Sequence, residues 1–146
     1  MADDAPVMEI ELAMAIEQAS SAVASLRSGD PEPGIRCWMP SGEAALFGAW
    51  GTGEKAHKAV TDTCRWIGSR YASGTGPVDV GQAAAASGQD LAYTVGFERG
   101  PVSIDGGPVR EMAMRVTQVY RRVDGGWKLV HRHADLAPPD HRIPAL

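Results

Sequence analysis

Leu91, Tyr93, Val95 and Phe97 alternate with Ala92, Thr94, Gly96 and Glu98. That period of two predicts a half-buried β-strand over Asp90–Arg99. Two longer arms follow, Glu111–Val123 and Trp127–Asp135, rich in Val, Tyr, Trp, Thr and Met and joined by Asp124-Gly125-Gly126. Asp-Gly between such arms is a strong hairpin signal, because the favoured two-residue turn needs positive φ at both positions. A hairpin this long is not stable alone in water and needs more strands or a helix against one face.

The first half of the chain supplies helices. From Val7 to Arg27, Ile10, Met14, Ser21 and Leu26 fall at helical spacing, and Leu12, Ala13, Ile16 and Val23 complete an apolar stripe. Ser28-Gly29-Asp30-Pro31 stops this helix and Glu32-Pro33-Gly34 continues the break. Ile35–Gly42 has no clear period, and its Trp38 is expected to close over a core or pocket. Ala44–Trp50 reads as a short strand ended by Gly51-Thr52-Gly53, with Thr52 as N-cap of a second helix from Glu54 to about Arg70. On that helix His57, Val60, Thr61, Cys64, Ile67 and Tyr71 fall near one face. Ser73-Gly74-Thr75-Gly76-Pro77 is a loop, Val78–Ala86 has little pattern, and Gly100–Pro108 is a hairpin connection. Residues 1–6 and 137–146 read as flexible tails around a core of about 8–136. Helices first and meandering strands after is the order of an α+β fold, helices covering one face of an antiparallel sheet.

Composition narrows the class further. At 146 residues, 44% apolar and 22% charged, the chain suits a single globular domain with its own core. A net charge of −4 with scattered Lys and Arg argues against nucleic acid, which asks for a basic stripe. No apolar run reaches the roughly 18–20 residues of a membrane span. Met1-Ala2-Asp3-Asp4-Ala5-Pro6 is acidic and lacks the layout of a signal peptide. Cys37 and Cys64 stand outside any Cys-x-x-Cys pair, so a reduced, cytoplasmic protein is expected. No nucleophile elbow, phosphate-cradling Gly loop or His-Glu-x-x-His helix is present, and neither cofactor nor metal is expected. His131 and His133 look like a ligand pair at i and i+2, sharing a face with Trp127 and Leu129, but no third ligand is identifiable.

The words Arg115-Val116-Thr117-Gln118-Val119-Tyr120-Arg121-Arg122 and Asp124-Gly125-Gly126-Trp127-Lys128-Leu129-Val130-His131-Arg132-His133-Ala134-Asp135 resemble the nuclear-transport-factor-2-like superfamily. More narrowly they resemble its SnoaL-like branch, similar to ketosteroid isomerase and to the association domain of calcium/calmodulin-dependent protein kinase II. Ala45-Leu46-Phe47-Gly48 and Asp90-Leu91-Ala92-Tyr93 support the resemblance, which spans roughly residues 8–136. It implies a cystatin-like cone: N-terminal helices packed in a strongly curved antiparallel sheet, with a pocket between them. It also implies a homodimer, often through the convex side of the sheet. By the kinase-domain resemblance Tyr93, Val95, Gln118, Val130, Arg132 and Ala134 lie on the concave face, His57 sits at the pocket edge, and His131 and His133 are convex. Three pocket arginines of that domain are matched here by Val95, Gln118 and Ala134. Asp135 stands near the catalytic carboxylate of polyketide cyclases.

The expected catalytic set is therefore His57 as base or acid, Arg132 orienting a substrate oxygen, and Asp135. Arg132 on an apolar concave face needs a carboxylate partner or a ligand, with Glu98, Glu111 and Asp135 as candidates. Trp38, Phe47, Trp50, Tyr93, Val95, Gln118 and Tyr120 are the expected ligand-binding residues, because such cavities are mostly apolar with few polar groups. Phe47-Gly48-Ala49-Trp50 has no acid where ketosteroid isomerase has one, so that enzyme's set of groups is not reproduced. The expected function is binding of a small apolar or amphipathic molecule, with a cofactor-independent isomerase, cyclase or dehydratase activity. The alternative is a non-catalytic homodimeric ligand-binding or protein-interaction module.

Overall fold

A computed structural model of the chain describes residues 8–72 and 75–137. The expected tails and loop residues Ser73 and Gly74 lie outside the described residues, apart from Ala137, whose N–H donates to Ala113 O at 2.9 Å.

Helix α1, Ile10–Arg27, buries Leu12, Ile16, Ala19, Ala22 and Val23. Ile10 and Met14 were expected in that stripe but face solvent, since they sit half a turn from Leu12 and Ile16. The helix stops at Ser28, followed by Gly29 at φ +94°. Where a continued break was expected, Glu32–Ile35 forms a short helix, α2, with Pro33 in its first turn, where the missing N–H is no loss. Trp38 is buried and forms a parallel bridge with Leu129.

Strand β1 is only Ala45–Phe47, and β2, Gly53–Lys55, pairs back onto it. That pairing holds the chain extended through the expected first turn of the next helix. Thr52 is thus no N-cap; α3, His57–Arg70, begins after Ala56 at φ +79° without a side-chain cap. Strands β3 (Asp79–Ser87), β4 (Leu91–Val102), β5 (Arg110–Val123) and β6 (Gly126–Leu136) complete one six-stranded sheet in the order β2-β1-β6-β5-β4-β3. The sheet is mixed rather than wholly antiparallel, because β1 runs parallel to β6. The β5–β6 turn has Asp124 at φ 47° and Gly125 at φ 79°, the double positive φ that Asp-Gly promises.

Two corrections decide which side chains face the helices. On β4 the covered residues are Ala92, Thr94 and Glu98, whereas Leu91, Tyr93 and Val95 are exposed on the outer face. The alternation was real, but its large apolar half points away from the helices. On β6, Tyr120 pairs with Leu129 and Val119 with His131, so Val130 is an unpaired extra residue, a β-bulge. Trp127 and Leu129 before it, and Arg132 and Ala134 after it, all turn inward. His131 and His133 consequently face outward and do not share a face with Trp127 and Leu129.

The inner face carries two apolar clusters. One joins Leu12, Ile16, Trp38, Leu46, Val60, Tyr120, Trp127 and Leu129; the other joins Tyr71, Val102, Met112, Met114, Val116 and Ala134. The row Gln118–Arg132 lies between the two.

Candidate functional site

Arg132 reaches from β6 across β5 to Glu98 on β4. Its Nη1 and Nη2 donate to the two carboxylate oxygens at 2.7 Å each, and Nη1 also donates to Gln118 Oε1 at 3.0 Å. Gln118 Nε2 donates in turn to the Tyr120 hydroxyl at 3.1 Å. Of the three candidate partners for Arg132 it is Glu98, whose side chain is 3% exposed, that provides the carboxylate. Burial alone would raise the Glu98 pKa, but the Arg132 charge and its hydrogen bonds outweigh that and hold it below the usual carboxylate range. Burial likewise works against the Arg132 charge and Glu98 reverses it, leaving the guanidinium more firmly protonated than usual. Glu98 and Gln118 take three N–H groups of Arg132; Nε–H and one Nη2–H have no partner among the described residues.

Two hollows share Arg132 in their walls. The first is lined by α1, α2 and α3 on one side and by Trp38, Leu46, Leu129 and Gln118 on the other, with the thiols of Cys37 and Cys64 in its wall. It offers about 70 Å³ to the centre of a water-sized sphere. By that measure one water needs roughly 10–15 Å³, so there is space for a handful of waters or a small molecule. The second, about 50 Å³ by the same measure, is lined by Trp50, Thr52, Tyr71, Met114 and Ala134. Leu26, Leu46, Ile67 and Arg132 border both. Burial pushes the Cys64 thiol up to about 11 and raises that of Cys37, so neither is a ready nucleophile near neutral pH. Burial also raises the Tyr71 and Tyr120 phenols, keeping both as neutral hydroxyls.

The expected site residues separate into two groups. Trp38, Trp50, Gln118 and Arg132 line the hollows, and Tyr120 supports Gln118 from within the core. His57, Asp135, Phe47, Tyr93 and Val95 line neither hollow. Phe47 sits edge-on to His131 and His133 on the outer face, 5.9 and 5.6 Å between ring centroids. Tyr93 and Val95 share that face through the strand parity of β4, and Asp135 makes a double hydrogen bond there with Arg115 at 2.9 Å. His57 is held at the start of α3, where its N–H donates to Ser41 O. Among the described residues no group of three or more His, Cys, Asp or Glu is placed to hold a metal ion.

Arg27, Cys37, Cys64 and Tyr71 were not expected at the site. Arg27 is 2% exposed, its Nη1 donating to Met112 O at 3.2 Å and its Nη2 to Glu98 O at 3.1 Å. A signal existed, since Arg27 falls four residues after Val23 on the buried stripe, an unusual place for a cation.

Residues 45–138 match the model of the SnoaL-like domain. The chain belongs to the SnoaL-like domain family. No curated protein sequence matches this SnoaL-like chain. Among solved structures it is similar to the ketosteroid isomerase-like protein of Erwinia carotovora atroseptica, with TM-score 0.73 and 13% identity over 90% of this chain and 100% of that one. A nuclear transport factor 2-like superfamily protein of Salmonella enterica serovar Typhimurium gives 0.69 and 15%, covering 93% and 95%. A cystatin-like protein of Caulobacter vibrioides gives 0.66 and 12%, covering 89% of each. Likeness at these identities establishes the fold, a cystatin-like α+β cone. Function has to come from the site. No helix among the described residues is long and apolar enough to cross a membrane.

Proposed function

We propose that this SnoaL-like domain binds a small, largely apolar molecule in the first hollow and holds one oxygen of it against Arg132 and Gln118. The observation that carries this is a guanidinium, with two N–H groups unpartnered among the described residues, in the lining of a hollow walled mostly by Ala, Val, Leu, Ile and Trp side chains. An apolar cavity with few convergent polar groups is the usual form of a small-molecule site. The isomerase-like neighbour raises acid–base catalysis as a further possibility for the fold. The binding reading is better supported here, because Glu98 is committed to Arg132, the thiols are held protonated, and His57 and Asp135 lie outside the hollows. Two free cysteines are in keeping with a cytoplasmic setting.

Tryptophan emission makes the binding reading testable, because Trp38 and Trp50, two of the four tryptophans, line the hollows. Titration with neutral hexanamide should change emission saturably, Ala22→Phe should abolish the change by filling the hollow, and Gln118→Leu should weaken binding about tenfold. A linear, non-saturating response in the unaltered protein would refute it.

A homodimer through the outer sheet face is proposed alongside. Phe47, His133, Thr117 and Val95 lie in one row across that face, and Phe47 (50%), Tyr93 (44%) and Val95 (37%) are exposed. Large apolar side chains exposed on one sheet face, interleaved with His133 and Thr117, suit a partly polar interface between copies. Sedimentation should give a dimer, and Phe47→Lys with Tyr93→Lys a folded monomer.

A further inference from the structure

The interior charges do not balance. Arg27 and Arg132 bring two positive charges to the inner face against one negative charge, Glu98, an excess of one. Arg27 contributes through two backbone carbonyls rather than a carboxylate, and Glu111, the next acid within its electrostatic reach, is exposed. A buried cation without a full counter-charge is costly.

One missing hydrogen bond lies beside the second hollow and another lies on Arg27 itself. Among the described residues two buried side-chain polar atoms have no partner, Arg27 Nε and Thr52 Oγ1. Thr52 lines the second hollow, where Tyr71 and Arg132 also stand, and Tyr71 makes no side-chain hydrogen bond among the described residues. Arg27, Tyr71, Glu98 and Arg132 all lie within electrostatic reach of one another. Unsatisfied buried polar groups are rare and call for an explanation, and Thr52 Oγ1 belongs to a residue in the wall of the second hollow. Arg132, Tyr71 and Thr52, which line the second hollow, all carry donors, and the two arginines outnumber the one carboxylate.

From this convergence we infer that the ligand carries a carboxylate, seated in the second hollow against Arg132, Tyr71 and Thr52, with its apolar part lying in the first. The inference rests on the binding reading above, keeps Arg132 as the anchor, and gives an anionic head the Tyr71 side of it where a neutral head takes the Gln118 side. A monocarboxylate neutralises the excess charge and accepts from the open Arg132 N–H groups and from both hydroxyls. The two small hollows, which share Arg132 in their walls, suit an anionic head and a short tail in turn. A neutral amide would fit by shape and leave the charge unbalanced; an ammonium would be repelled.

The test is calorimetric titration of the full chain with hexanoate, hexanamide and hexylammonium, each also followed by Trp emission. Hexanoate should bind at least about tenfold tighter than hexanamide, and hexylammonium should not bind. Tyr71→Phe should weaken hexanoate about tenfold while leaving hexanamide unchanged; Thr52→Val should act in the same direction. Arg132 variants are unsuited to this purpose, since they leave Glu98 unpaired. Equal affinity for hexanoate and hexanamide overturns the carboxylate while leaving the pocket standing. Hexanoate bound equally well by Tyr71→Phe overturns the placement of the head. If neither hexanoate nor hexanamide binds, the pocket itself is refuted as well.

Discussion

The two faces of the sheet each carry a doubly hydrogen-bonded arginine–carboxylate pair, and the pairs differ mainly in their surroundings. Arg132–Glu98 lies under the helices, with side chains 15% and 3% exposed. Arg115–Asp135 lies on the outer face, with side chains 54% and 48% exposed. In both, the carboxyl is held below its ordinary value by the arginine. The inner pair has given up water, so each partner depends on the other; the outer pair can trade its partner for solvent at small cost. A two-bond fork, made through Nη1 and Nη2 on the inner face and through Nε and Nη2 on the outer, is therefore an obligate element on one side of the sheet and an ornament on the other.

The strongest way to break that contrast is to remove one inner partner. Arg132→Leu or Glu98→Leu should each destabilise the fold by about 3–5 kcal/mol, because a buried charge is left alone. The double variant should recover much of that loss, which urea unfolding of all four proteins would read as a coupling. A double variant as damaged as the sum of the singles would mean the pair is not the relevant unit.

Acid sharpens the comparison with a smaller effect. Folding lowers the Glu98 pKa from about 4.5, so the stability this group contributes is present above that value and lost as pH falls through the lower folded value. Thermal melts should show this acid limb in the unaltered protein and a shallower one in Glu98→Gln. Asp135 has the same sign, but its exposed partnership should fade in about 1 M salt, whereas the Glu98 limb should persist. The smallest effect belongs to Arg115→Ala, expected to leave the midpoint of the same melts almost unchanged.

Much of the fold was legible because it is written locally. Asp124-Gly125 demands a tight turn, the apolar arms on either side demand pairing, and Ser28-Gly29 ends α1 where the chain says it should. The site was harder. Arg132 could be recognised as needing a carboxylate, but the choice of Glu98 depends on three strands lying side by side. Arg27 meets Met112, 85 residues on, through contacts that leave no local trace. Tyr93 and Val95 were misplaced for a different reason. Alternation reveals that a strand has two faces without saying which is covered, and here the helices lie over small and polar residues, Ala92, Thr94, Gly96 and Glu98. His57 fell on an apolar helix face, yet α3 starts at that residue instead of three residues earlier, which leaves it at the edge of the packing.

The unpaired Val130 has a consequence for how this family can change. A strand without it would keep Trp127 and Leu129 in place but rotate everything downstream by half a turn, carrying the guanidinium to the exterior and the imidazoles into the interior. Point substitutions would leave the cavity's chemistry recognisable; losing a single codon there would exchange it. Relatives lacking the extra residue must then draw their anchoring groups from the alternate positions of the same arm, so an alignment that ignores the gap would compare opposite sides of the molecule.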